Sequence, residues 1–146
     1  MTATKHRITA PDLHIDLAKG TDAQVFRWLV ACLLFGARIS QDIAARAYAE
    51  LDKLGVLTPR RLAEADWQDV VDALGRGGYR RYDESTAREL ISLGRSVLDE
   101  YGGHAARIRD GADTKAAVAG RVQEFTGIGP AAADIFVREI MPTWGL

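Results

Sequence analysis

The residues best suited to chemistry are crowded into Phe125-Thr126-Gly127-Ile128-Gly129-Pro130-Ala131. Two glycines flank one aliphatic side chain. Glycine admits positive φ and lets another molecule reach the backbone without a side chain in the way. Ile128 is expected to plug between two helices while the amides of the turn face outward. Pro130 opens a helix at the position where a missing N–H is no loss. Free N–H groups and the positive end of the helix dipole beside that turn suit an anionic oxygen, above all a phosphate. Such a contact holds the backbone of a nucleic acid and reads no base. A plain interhelical turn, with Gly127 as a C-terminal cap, would use the same tripeptide. Amphipathic helices on both sides favour the phosphate-binding hairpin.

Three further sites could carry charge to that hairpin. Arg38, in Gly36-Ala37-Arg38-Ile39-Ser40, either enters a duplex, binds phosphate or is solvated. Arg80 and Arg81, with Arg76 and the interleaved Tyr79 and Tyr82, form either a second phosphate-contact loop or a solvated turn. Asp134 lies one turn into the helix after the hairpin, where an acid favours the dipole, and is given no catalytic role. His6, His14 and His104 are too scattered for metal-ligand spacing and are read as solvated or locally bonded. Cys32, the single cysteine, sits in an apolar run, and one sulfur cannot hold an iron–sulfur cluster, a zinc knuckle or a disulfide. No catalytic residue is assigned. No metal or cofactor is expected, apart from a monovalent cation that the hairpin could hold.

Helices must position these groups, because the apolar spacing is helical nearly throughout and no strand is convincing. Thr21 and Gln24 form a capping-box pattern before Asp22–Phe35, which is apolar on almost every side and belongs at the centre. Ala44, Tyr48 and Leu51 stripe a second helix that stops at Gly55. Thr58-Pro59 opens a short helix to about Ala65. Asp66 caps another, with Val70, Val71 and Leu74 inward as far as Gly75. After Gly77-Gly78 a long helix runs from about Glu84 to Tyr101, its stripe being Ala87, Leu90, Ile91, Val97, Leu98 and Tyr101. A helical piece near Ala105–Arg109 follows. Val118, Val122 and Phe125 face inward before the hairpin, and Ala132, Ile135, Phe136 and Ile140 after it. Trp28, Trp67 and Tyr48 are read as core or near-core, and Trp144 as lying on a tail past the last helix. Residues 1–20 are read as an arm or a short helix, residues 21–146 as one domain with the hairpin within 115–140.

A chain of 146 residues can bury one real core, and 47% hydrophobic with 27% charged residues is ordinary for a globular protein. The longest apolar run, Val25–Phe35, contains Arg27 and is too short for a membrane span. The polar start, Met1–Ala10, has no signal core, so the expected address is the cytoplasm. A net charge of −1 argues mildly against nucleic acid, but charge is uneven: Arg76, Arg80, Arg81 and Arg88 stand against Asp83 and Glu84 between Gly75 and Arg88.

The stretch Phe125–Ile135 resembles the helix-hairpin-helix of the endonuclease III-type DNA glycosylase superfamily. Phe26–Leu34 is similar to the family's apolar second helix. Gly78-Tyr79 with Ala87-Arg88-Glu89-Leu90-Ile91 resembles its glycine–tyrosine turn and following helix, with a few residues inserted at Arg81–Thr86. Tyr101-Gly102-Gly103 matches the glycine pair that ends that helix, and the resemblance covers about residues 22–140. It implies a single all-α domain of six to eight helices, like the helical-barrel half of a DNA glycosylase, with double-stranded DNA as partner and base-excision repair as setting. Gly127, Ile128, Gly129 and Ala131 then make the phosphate contact, and Arg38 falls where the family fills the gap left by a flipped base. The family's lysine position is Ala131, which offers neither nucleophile nor charge, and its downstream aspartate does not occur before Leu146. The expectation is therefore a DNA-binding relative of repair glycosylases without the usual catalytic residues. Two alternatives stay open: an active glycosylase or abasic-site lyase with a non-standard or partner-supplied residue, and a protein-interaction module. A form truncated after the hairpin should leave an apolar face from the last helix to Leu146, covered by a second copy or another chain.

Overall fold

The computed structural model describes residues 7–146, so His6 and the first residues of the expected arm lie outside it. The described chain is all-α, a single domain of seven α-helices with two short 3-10 turns. They are α1 (Asp22–Phe35), α2 (Gln41–Leu54), α3 (Pro59–Ala63), α4 (Trp67–Arg76), α5 (Asp83–Tyr101), α6 (Lys115–Val122) and α7 (Pro130–Trp144). The 3-10 turns are Pro11–Leu13 and Ala105–Arg109. No described helix is long and apolar enough to cross a membrane.

Local chemistry starts and stops these helices. Ser40, Thr58, Asp66 and Thr114 each accept a backbone N–H at the head of α2, α3, α4 and α6. Gly55 and Gly102 end α2 and α5 in the left-handed conformation. Thr21 makes no such cap. Gln24, read as the other half of its box, instead accepts the N–H of Asp16 at 2.8 Å. The head of α1 is fastened through Asp22, which accepts the N–H of Ala106 at 3.0 Å and meets His104 Nδ1 at 2.7 Å.

Helix α1 is the hub. Val25, Phe26 and Trp28 to Phe35 are buried, and the helix touches α2, α5, α7 and the turn at Ala105–Arg109. Trp28 and Tyr48 are core as expected, and Cys32 is a buried free thiol pushed up by desolvation. On α5 the buried stripe is Thr86, Ala87, Leu90, Leu93, Gly94 and Val97. Ile91, Leu98 and Tyr101 are only half-buried. The difference comes from α3, which crosses α5 so closely that a methyl group on Gly94 would lie 2.7 Å from Ala63 N and Pro59 O.

The two chain ends differ most from expectation. Ile8, Ala10, Ile15 and Leu17 are buried, so this segment is a strap rather than an arm. Ala10 N–H donates to Glu139 Oε1 at 3.2 Å, and Thr143 Oγ1 donates to Leu17 O at 2.8 Å. Helix α7 also runs further, through Pro142 to Trp144. Trp144 is buried with its ring edge-on to Phe136 at 5.8 Å. Part of the apolar face expected from the last helix to Leu146 is therefore covered from within the chain, while Ile135, Met141 and Leu146 stay half-buried. Among the described residues Tyr82 is the one large hydrophobic side chain left exposed.

Candidate nucleic-acid interface

Thr114 starts α6, and Val118, Val122 and Phe125 bury its inner side. The turn is then drawn tight: Phe125 N–H donates to Val122 O at 3.2 Å, and Ile128 N–H to Phe125 O at 3.1 Å. Phe125 and Ile128 are both buried, so Ile128 is the interhelical plug that the sequence suggested. Phe125 packs against Tyr101 with ring centroids 6.0 Å apart.

The two glycines have different reasons to be glycine. Gly127 has φ +93°, and a methyl group there would lie 2.8 Å from Cδ and Oε1 of Glu89 and 2.9 Å from its Cβ. Its bare face is turned toward the protein's own acid. Gly129 has φ −94° and ψ −169°, extended backbone open to any residue. Nothing lies within 4 Å of where its Cβ would be. What a side chain would change at Gly129 is access from outside, not conformation.

Access matters because the amides there are free. Helix α7 has no side-chain cap, and the first bond at its head is Ala133 N–H to Gly129 O at 3.0 Å. Among the described residues, the N–H groups of Gly127, Gly129, Ala131 and Ala132 meet no acceptor. Gly129 and Ala131 are exposed, whereas Ala132 is buried against Gly36. A methyl group on Gly36 would come 2.8 Å from Ala132 Cβ. That close approach sets the head of α7 beside the loop that carries Arg38.

A polar cavity of about 350 Å³ lies between that loop and the hairpin turn, lined by Leu33, Arg38, Tyr82, Ser85, Glu89 and Gly127 among others. Arg38 and Gly127 are thus brought together. The other expected cations are not. Arg80 folds back over α4, with a guanidinium nitrogen 3.6 Å from where a Gly75 Cβ would stand. Arg81 stacks over Tyr82 at 5.3 Å, and Arg76 is paired with Glu50 at 3.1 Å. The basic strip read from Gly75 to Arg88 is dispersed. Asp134 is exposed on α7.

No known protein-family model matches this chain, and neither curated proteins nor solved structures give a match.

Glu89 is the site residue that sequence reading missed. Burial pushes its carboxyl above the ordinary value, and Arg88 only partly offsets this. Its carboxyl has no hydrogen-bond or ion-pair partner among the described residues. Burial likewise raises Tyr79, whose hydroxyl lies 3.4 Å from Thr86 Oγ1. No spacing rule announces Glu89, because its neighbour in space is the hairpin. Among the described residues, no group of three or more His, Cys, Asp or Glu is placed to hold a metal ion.

Proposed function

We propose that this protein binds double-stranded DNA without sequence preference, seating a backbone phosphate on the amides of Gly129 and Ala131, with Arg38 beside it. The single observation that carries this reading is the uncapped, exposed head of α7 next to a glycine with open space before it. Unpaired N–H donors at a helix start are the groups a phosphate oxygen satisfies, and the dipole adds to the attraction. The setting proposed is that of a base-excision glycosylase relative, on the resemblance of residues 22–140. Ala131 at the lysine position supports binding without the family's lyase chemistry. Fluorescence anisotropy with duplexes of unrelated sequence tests the reading. Binding should be similar for all duplexes and weaken steeply with salt. Replacing Gly129 by Glu should abolish it at every sequence, and unchanged binding by that variant would refute the seat.

One observation favours a second reading, an interaction module. Trp67, Arg88, Ile91, Ser92 and Arg95 line an open groove of about 620 Å³ that shares no residue with the hairpin cavity. Trp67 is held there by its Nε1–H donating to Glu84 O at 3.2 Å. Emission from Trp67 that responds to protein partners but not to DNA would favour this second reading.

A further inference from the structure

Glu89 stands where a phosphate-binding turn would be expected to hold no acid. Its carboxyl lies against the Cα of Gly127, in the cavity that also holds Arg38, and among the described residues nothing neutralises it by direct contact. The groups facing it can be named element by element. The loop after α1 brings Arg38, the segment between α4 and α5 brings Tyr79 and Tyr82, and its own helix brings Arg88. The hairpin brings only backbone at Gly127. Burial pushes the Tyr79 hydroxyl further from ionisation. An ionised Glu89 therefore sets a negative charge against Gly127, in the same turn as the free amides of Gly129 and Ala131 proposed to receive a phosphate.

We propose that Glu89 is an acid gate on the hairpin: as a carboxylate it opposes the phosphate at Gly127–Gly129, and when protonated it admits it, so that DNA binding tightens as pH falls. This rests on the hairpin being the DNA site. Desolvation already favours the neutral form of Glu89, which brings the switch closer to neutral pH than for a solvated glutamate. One charge removed a few ångströms from a phosphate is worth roughly three- to tenfold in affinity near a surface. Glu89→Gln keeps the shape and removes the charge.

The experiment is anisotropy of a fluorescein-labelled duplex of arbitrary sequence, with wild type, Glu89→Gln and Gly129→Glu, from about pH 5 to about pH 8. Thermal unfolding confirms that each variant is folded. Glu89→Gln should bind roughly three- to tenfold tighter than wild type at the alkaline end, the ratio closing toward one at the acid end. Comparing the two proteins cancels the general effect of protonating histidines and other acids. A ratio that stays constant with pH, or equal binding throughout, overturns the gate while Gly129→Glu still shows the hairpin to be the site. Binding by neither protein at any pH overturns the hairpin reading and the gate together.

Discussion

Alanine at Gly127 and alanine at Gly129 should have opposite consequences. At Gly127 the φ of +93° is strained for any residue with a Cβ, which costs about 1–3 kcal/mol. The new methyl also falls 2.8–2.9 Å from three atoms of Glu89, and because one of them is Cβ, swinging the carboxyl aside relieves only part of the overlap. Overpacking of this kind adds about 1 kcal/mol or more. The sum, about 2–4 kcal/mol, lowers the melting temperature by roughly 5–15 °C for a domain of this size. At Gly129 the backbone is already extended and the space empty, so stability should change by less than about 0.5 kcal/mol. Thermal unfolding followed by circular dichroism measures both. A third protein, Gly127→Ala with Glu89→Ala, should recover the part of the steric cost that comes from the carboxyl, but neither the overlap with Cβ, which alanine keeps, nor the backbone part. If Gly127→Ala is neutral, or if Glu89→Ala restores nothing, the packing of Glu89 on the turn is wrong. Gly129→Ala, folded as well as wild type, then reports on DNA alone.

Glu89→Gln should also raise stability at neutral pH. The folded carboxyl titrates above its unfolded value, so the fold prefers it neutral. The stabilisation from that neutral form is complete below the unfolded value and is lost as pH rises through the raised folded one. The variant's advantage should therefore vanish in acid, and an advantage independent of pH would contradict the assignment. Arg38→Ala should weaken DNA binding and reduce the slope of log affinity against log salt by about 1, while Arg80→Ala leaves the slope unchanged. The reverse pattern would move the interface to the turn before α5. Trp144→Ala should cost about 3 kcal/mol in denaturant unfolding, as removal of a buried aromatic does. A loss below about 1 kcal/mol would mean that the chain's end is not core.

Elements controlled by neighbours in sequence could be read in advance. Thr58-Pro59, Asp66, Gly55 and Gly102 act within one turn of the backbone they cap, and α1 shows its central place by being apolar all round. The glycine turn with buried Ile128 was visible for the same reason. What depends on distant packing was hidden. Gln24 is drawn away from Thr21 by the strap at Asp16, and that strap is held by distant helices, at Gln41 on α2 and at Glu139 and Thr143 on α7. Leu93 and Gly94 are interior because α3 crosses there, which no periodicity in α5 states. Arg76, Arg80 and Arg81 are close in sequence, but each takes a different local partner. Glu89 acquires meaning only when the hairpin folds against it.

The most direct test is a nitrogen–proton correlation spectrum recorded while duplex DNA of arbitrary sequence is added at low salt. The amide signals of Gly129 and Ala131 should shift first and furthest, with Gly127 and Arg38 following, and added salt should return them to their starting positions. Shifts confined to Trp67, Arg88 and Arg95, or no shifts at all, would contradict a phosphate seated at the head of α7.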